Sequence, residues 1–203
     1  MKNKKMIFIV LTILCLIAIT IFCIYYYKTS KNGNTIINKS EEKIVEDILN
    51  MKNYEAKMNI TVETNKNKTQ YVVKQKLENN KAIQEVIEPS NIAGVITEYD
   101  GNNLIIKNNK LNLETIFQNY QYIVKNRLWL DSFVEEYKSN QNVTSSDSNS
   151  SEIILKVQTK EKLYNVYKEL YIDKKTGTPA KMIVKDINQK TLVYILYTEI
   201  KIS

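Results

Sequence analysis

The sequence predicts an α+β domain in which a curved antiparallel sheet, or incomplete β-barrel, holds helices in its concave face, and an N-terminal membrane segment precedes that domain. Three observations support this prediction. Apolar and polar residues alternate with a period of two over long runs, which is typical of antiparallel strands with one buried and one solvated face. Three shorter segments repeat apolar residues at helical spacing. An uncharged apolar run follows the first lysines.

The apolar run covers residues 6–27 and lies between Lys2, Lys4 and Lys5 on one side and Lys28 on the other. Its length is sufficient to cross a bilayer, and the tyrosines at its end suit a membrane interface. The positive flank favours a cytoplasmic N-terminus, so the rest of the chain is predicted to be extracytoplasmic. We therefore divide the chain into a signal or membrane anchor (1–28), a polar tether (29–39) and one domain (40–203).

Within the domain the period of the pattern changes several times. A first helix is predicted at 40–51. A second follows Lys110, with apolar residues at Leu113, Ile116, Phe117 and Tyr120, and a third has apolar residues at Leu130, Phe133, Val134 and Tyr137. Residues 139–151 are almost entirely polar and predict an exposed flexible loop. Seven to nine strands are expected, and the clearest are 54–62, 71–77, 81–87, 95–99, 104–106, 153–159, 164–173, 180–186 and 191–202.

The composition argues against most enzyme classes. The chain has no histidine, and both of its cysteines lie inside the apolar run, so the exported part lacks imidazole and thiol groups for nucleophilic catalysis or zinc binding. The four glycines are isolated, and no phosphate-binding loop is present. We predict no catalytic residue, no metal and no cofactor. A glycosidase that works through paired carboxylates is the enzyme alternative, but no acidic pair falls in a recognisable motif.

The formal net charge of +7 does not indicate nucleic-acid binding. Four of the cations flank the apolar run, and the remaining charges are nearly balanced, as on an ordinary solvated surface. Arg127 is the only arginine, whereas nucleic-acid surfaces favour arginine for phosphate and base contacts. No nucleic-acid partner is predicted.

Three segments together resemble a known family. They read SEEKIVEDILNMKNYEAKMNITV, EPSNIAGVITEYDGNNLII and LYIDKKTGTPAKMIVKDINQKTLVYILYTEIKI, and they are similar to the germination lipoprotein GerS family of spore-forming clostridia, which has the LolA-like lipoprotein-carrier fold. The resemblance covers residues 40–203. It implies a half-barrel with a helical lid.

The resemblance also implies a function. It suggests a membrane-anchored, non-catalytic protein of the spore envelope, between the forespore membranes, which binds and supports a cortex N-acetylmuramoyl-L-alanine amidase of the CwlD type. This amidase is needed for muramic-δ-lactam modification of the cortex and hence for germination. The alternative is a lipid or lipoprotein carrier or acceptor of the LolA type.

GerS relatives are lipoproteins, which makes Cys23 the candidate site of lipid attachment. The residues around Cys23 depart from the usual processing signal, because Thr20 and Phe22 stand where a leucine and a small residue are expected. The residues alone therefore favour an uncleaved anchor over lipid attachment at Cys23.

Candidate partner-binding or lipid-binding residues are the large aromatic side chains and the single arginine. Trp129 and Arg127 are of types enriched at binding hot spots, and Tyr71, Phe117, Tyr120 and Phe133 are candidates to line a lipid cavity. The alternative for the aromatic residues is that they fill the core. Glu135 and Glu136 are interpreted as a solvated helix face, whereas Asp100, Asp173 and Asp186 are interpreted as turn residues that accept hydrogen bonds from nearby backbone groups.

The last predicted strand, 191–202, is apolar and rich in β-branched and aromatic residues. We predict that it is an open edge of the sheet, because an unclosed sheet must leave an edge with unpaired backbone groups. Its residues Leu192, Tyr194 and Leu196 are then candidates for edge pairing, either in a homodimer, with or without strand swapping, or with the partner enzyme.

Overall fold

The computed structural model describes residues 39–120, 128–139, 142–146, 150–161 and 164–203, all within the compact unit Ile36–Ser203. These residues form two helices and eleven strands. The helices are α1 (Lys39–Leu49) and α2 (Leu130–Ser139). The strands are β1 (Tyr54–Glu63), β2 (Lys68–Glu78), β3 (Lys81–Glu88), β4 (Val95–Tyr99), β5 (Leu104–Asn108), β6 (Leu113–Phe117), β7 (Asn142–Ser146), β8 (Glu152–Glu161), β9 (Tyr164–Asp173), β10 (Thr178–Lys185) and β11 (Thr191–Ile202).

The strands form one antiparallel sheet in the order β6-β5-β4-β3-β2-β1-β11-β10-β9-β8-β7. The first six strands follow one another outward from the centre, and the last five return toward it. β1 and β11 therefore meet in the middle, where Ile60 lies opposite Ile195. The predicted fold class, an antiparallel sheet with helices, is confirmed, with more strands than the seven to nine expected.

Both helices pack on the same face of the sheet. On β1 the side chains of Tyr54, Ala56 and Met58 are buried while Glu55 and Asn59 are exposed, as expected for alternation in a half-buried strand. Helix α2 places Leu130 and Phe133 on this face, and both are fully buried in the same core as Met58. We call this the helix-side face.

Helix α1 follows from a short amphipathic pattern. Glu41 and Glu42 lie in its first turn, where the helix dipole favours negative charge. Ile44 and Ile48 are one turn apart and both contact the core. Among the described residues no helix is long and apolar enough to span a membrane, and the predicted membrane segment lies outside these residues, as does Cys23.

Two predicted elements are wrong. The helix expected at Leu113, Ile116 and Phe117 is strand β6, which pairs with β5. A tight turn reverses the chain just before it: the backbone of Leu111 donates to the carbonyl of Asn108, and Asn112 has a φ of 51°. Local turn geometry therefore overrides the helical spacing. The loop expected at residues 139–151 contains β7, which pairs with β8.

The prediction that the last strand is an edge is also wrong. β11 is an interior strand, paired with β1 on one side and β10 on the other, so both sides of its backbone are used in the sheet. Tyr194 lies between Thr61 and Ile183, and Leu196 lies between Asn59 and Lys181. Tyr194 and Leu196 consequently have no free backbone edge, and Leu192 belongs to the same interior strand, at the irregularity in its pairing with β10. The end strands of the described sheet are β6 and β7.

Candidate functional site

A groove lies between α2 and strands β3 to β5 on the helix-side face. Its volume is about 990 Å³, within the range of small-molecule sites. The helices pack in one core with the central strands, and the groove lies beside them over β3 to β5. The lining residues are Leu49, Met51, Lys52, Asn53, Leu77, Asn79, Asn80, Ala82, Gln84, Thr97, Tyr99, Gly101, Leu104, Ile106, Trp129, Asp131, Ser132, Val134, Glu135 and Lys138.

A chain of hydrogen bonds runs from the core to the groove. The hydroxyl of Tyr54 donates to Oε1 of Gln75 at 3.1 Å, and Nε2 of Gln75 donates to Oε1 of Gln84 at 2.7 Å. Tyr54 and Gln75 are buried, and Gln84 lines the groove. The three residues lie on adjacent strands β1, β2 and β3, with Gln75 directly opposite Gln84. The strand register therefore aligns the amides at the groove floor.

Asp131, in the first turn of α2, is the acidic group at the helix side of this floor. Burial raises the pKa of its carboxyl, and the charge of Glu135 adds to that effect. Burial raises the pKa values of Tyr197 and Tyr54, and the charge of the Asp131 carboxylate adds to the effect on both. Oδ1 of Asp131 and the hydroxyl oxygens of Tyr99 and Tyr197 are buried without a hydrogen-bond partner among the residues that the structure describes.

A second polar cluster lies under α2, away from the groove. Lys168 on β9 is completely buried, and its Nζ lies 2.8 Å from Oε1 of Glu136 on α2. The hydroxyl of Thr159 on β8 donates to Oε2 of the same carboxylate at 2.5 Å. The prediction that Glu136 belongs to a solvated face is wrong, because its side chain faces the sheet.

The candidate aromatic residues do not form one site. Trp129 is buried and lines the groove, whereas Phe133 is fully buried in the core and its ring stacks on Tyr137 with centroids 6.0 Å apart. Tyr71 is half-buried and packs against the core from β2. Tyr120 contacts Phe117 beside β6, with ring centroids 5.7 Å apart. Arg127 lies outside the described residues.

Three predicted turn residues are confirmed. The carboxylate of Asp100 accepts hydrogen bonds from the backbone of Asn102 and Asn103, and that of Asp173 accepts from Lys175 and Thr176. The carboxylate of Asp186 accepts from the backbone of Asn188 and Lys190. These bonds hold the pKa values of Asp100 and Asp173 below their ordinary range. The three aspartates close hairpin turns at the ends of their strands.

The groove has the chemistry of a binding site for a ligand with both apolar and hydrogen-bonding parts. Ala82, Leu104 and Ile106 supply apolar contacts, while Gln84 and Asp131 supply polar groups. The residues that the sequence interpretation missed are Gln75, Gln84, Tyr99 and Asp131. In the part of the chain that the structure describes, no group of three or more acidic, cysteine or histidine side chains is placed to hold a metal ion.

Comparisons with solved structures found several proteins of similar topology. An uncharacterized conserved protein from Thermus thermophilus is 12% identical, with 81% of this chain and 88% of that chain covered and a TM-score of 0.49. The structure of the CwlD amidase in complex with the GerS lipoprotein from Clostridioides difficile contains a chain that is 24% identical, with 80% and 94% covered and a TM-score of 0.48. A LolA superfamily protein from Nitrosomonas europaea is 10% identical, with 80% and 93% covered and a TM-score of 0.40.

The comparison with curated protein sequences found no significant match. A family model did match, and it is described as "Sporulation protein YdcC-like". The match covers residues 3–203 and therefore includes the described sheet, both helices and the groove. The chain belongs to the family of YdcC-like sporulation proteins.

Proposed function

We propose that this protein is a non-catalytic spore-envelope protein that binds a cortex amidase of the CwlD type and supports its activity, so that the cortex receives its muramic-δ-lactam modification and the spore can germinate. The observation that carries the proposal is the match of nearly the whole chain to a sporulation family. The resemblance of three segments to GerS relatives specifies the partner.

The chemistry of the exported part favours support of an enzyme over catalysis. It has no histidine, and the only cysteines, Cys15 and Cys23, lie in the apolar run. Buried Glu136 pairs with Lys168, and the turn aspartates at the surface bind backbone groups. A role through contact with another protein needs none of the missing groups.

The test combines binding with a cell-wall readout. The full chain in lipid nanodiscs is mixed with the purified amidase, and complex formation is measured by light scattering. In parallel, cortex muropeptides are analysed from a deletion strain and from the same strain carrying the wild-type gene. We expect a complex in vitro and loss of muramic-δ-lactam on deletion. Normal muramic-δ-lactam content in the deletion strain would contradict the proposal.

The proposal places the domain outside the cytoplasm, held to the membrane through residues 1–28. Lipid attachment at Cys23 and an uncleaved anchor predict different chemistry at that residue. Metabolic labelling with a fatty acid, compared between Cys23→Ser and the matched variant Cys15→Ser, separates them. Loss of label only in Cys23→Ser indicates a lipoprotein, whereas an unlabelled wild-type protein that stays in the membrane fraction indicates an uncleaved anchor.

A second candidate function is a lipid or lipoprotein carrier or acceptor of the LolA type. The observation that favours it is the groove of about 990 Å³ with Leu104 and Ile106 in its wall. Native mass spectrometry of the purified chain tests it, with Thr97→Trp as a variant that fills the groove. Bound acyl chains that disappear in this variant support the carrier function. A wild-type chain without bound lipid, and with unchanged thermal stability when lipid is added, contradicts it.

A further inference from the structure

The floor of the groove consists of two rows of side chains that follow from the strand register. Residues two apart on a strand share a face, so β3, β4 and β5 each contribute one side chain to each row. The first row contains Gln84, Thr97 and Ile106, and the second contains Ala82, Tyr99 and Leu104. The second row is mainly apolar, and an aliphatic chain that lies across these strands can bury its surface against it.

Three buried oxygens of the domain have no hydrogen-bond partner among the residues that the structure describes. They are Oδ1 of Asp131 and the hydroxyl oxygens of Tyr99 and Tyr197. Asp131 and Tyr99 line the groove, one from α2 and the other from β4. Tyr197 is only 8% exposed, and it lies close enough to Asp131 for the carboxylate charge to act on its hydroxyl. A buried polar atom without a partner is costly, so this part of the groove favours a guest that donates hydrogen bonds.

Asp131 has no cation beside it to compensate its charge. Burial raises the pKa of its carboxyl, and the charge that adds to this effect is the negative charge of Glu135, one turn further along α2; no lysine of the described chain lowers this pKa. Lys52 and Lys138 also line the groove. Both are exposed, where water and salt screen their charges, and Lys138 lies about 10 Å along the helix axis from Asp131. The Asp131 end of the groove is therefore complementary to a cation.

We propose that the groove binds an aliphatic primary amine, with its ammonium group at Asp131 and its carbon chain on the apolar row of Ala82, Tyr99 and Leu104. An ammonium group has three N–H donors and no acceptor, so one such group can bond to more than one of the oxygens that lack a partner. Its bonds to a carboxylate are charge-assisted and about twice as strong as neutral ones. An anionic ligand such as a fatty acid would instead place like charges together.

The experiment is a calorimetric titration of the full chain in lipid nanodiscs, with empty nanodiscs as the blank. The probes share one carbon chain and differ only in the head group: n-hexylamine, 1-hexanol and hexanoate. We expect the affinity to fall in that order. The amine should bind about tenfold or more tightly than the alcohol, because hydrogen bonds to a charged group contribute more than neutral ones.

Four variants connect the binding to the groove. Asp131→Asn keeps the size of the side chain and removes its charge, so it should weaken binding of n-hexylamine by about tenfold or more and leave 1-hexanol unaffected. Asp47→Asn makes the same change at an exposed position of α1 and should leave every affinity unchanged. Thr97→Trp fills the groove and should weaken the amine and the alcohol alike. Tyr99→Phe removes one hydroxyl and should weaken the amine alone.

The outcomes decide between the ammonium site and simpler explanations. Equal affinities for the amine and the alcohol would show that the groove selects only a carbon chain, and this overturns the inference. Binding of the amine that Asp131→Asn leaves intact, or that Asp47→Asn weakens equally, also overturns it, as does tighter binding of hexanoate. The inference is independent of the proposed function, because complex formation with the amidase is measured without any of these probes.

Discussion

The ammonium group of Lys168 lies 2.8 Å from Oε1 of Glu136, and this ion pair joins strand β9 to helix α2 inside the domain. The lysine is completely buried and the glutamate is nearly so. Removing two charges from water is costly, and their attraction compensates only when the geometry is good and further hydrogen bonds are made. The hydroxyl of Thr159 supplies such a bond to the same carboxylate.

The first prediction concerns loss of one member of this pair. Lys168→Met removes the cation and leaves the buried Glu136 carboxylate without its charge partner. We expect the free energy of unfolding to fall by about 3–5 kcal/mol, the usual result of breaking a buried pair. Denaturant unfolding at neutral pH measures this loss.

The double variant Lys168→Met, Glu136→Leu is the control. It replaces both charges by apolar groups, and such exchanges are often neutral or stabilising. We expect it to recover most of the stability that the single variant loses. A double variant as unstable as the single one would show that the packing of Lys168 determines the loss.

The second prediction concerns pH and Asp131. Burial raises the pKa of this carboxyl in the folded protein, so the protonated form is favoured by folding. The associated stability is fully present below the ordinary aspartate pKa of about 3.9 and is lost as pH rises through the raised value. Asp131→Asn mimics the protonated form. We therefore expect this variant to be more stable than the wild type at pH 7 and equally stable at acidic pH.

Asp173→Asn is the control with the opposite sign. Hydrogen bonds from the backbone of Thr176 and Lys175 lower the pKa of Asp173, so its contribution is present above the ordinary pKa and is lost as pH falls through the lowered value. This variant should be less stable than the wild type at pH 7, with a difference that shrinks in acid. Two variants with the same pH dependence would contradict the assignment.

The prediction of the fold from sequence succeeded where one face of an element is buried. Strands β9 and β11 and the pattern of α2 were predicted at the correct positions because their apolar residues recur with one clear period. The pattern contains no information on which strands are neighbours. Pairing of β1 with β11 joins residues that are far apart in the sequence. Because of this pairing β11 is an interior strand, and the end strands of the described sheet are β6 and β7.

The candidate site was predicted less well, for a physical reason. Lys168 and Thr159 occupy inward positions in strands whose other inward residues are apolar, such as Leu170 and Val157. A polar residue at an inward strand position indicates that a buried polar partner lies nearby. The partner, Glu136, comes from a helix distant in sequence, and no local pattern identifies it. The same holds for Gln75 and Gln84, whose pairing depends on strand register.

The third prediction separates core residues from binding residues among the aromatic candidates. Phe133 is fully buried between α2 and the sheet, so Phe133→Ala should lower the free energy of unfolding by about 3–5 kcal/mol. Tyr120 contacts Phe117 outside the core cluster, and Tyr120→Ala should cost clearly less. Unfolding can be followed by the emission of Trp129, the only tryptophan, which is buried in the folded protein. A Phe133→Ala protein of wild-type stability that loses a bound ligand would instead assign Phe133 to binding.

The last prediction concerns how α1 is held on the domain. Oε1 of Glu41 lies 2.9 Å from Nζ of Lys174 in the turn between β9 and β10, and both side chains are largely buried. A helix of eleven residues is marginal in isolation and depends on tertiary contacts. Glu41→Gln should therefore increase hydrogen exchange in α1 while exchange in the central strands stays unchanged, because the helix can open locally.

Glu42→Gln is the matched control, since the neighbouring Glu42 is exposed. Equal effects of the two variants would show that the helix dipole, which both carboxylates stabilise from the first turn, determines the stability of α1. An effect of Glu41→Gln alone, reduced for the wild type at high salt, assigns it to the ion pair.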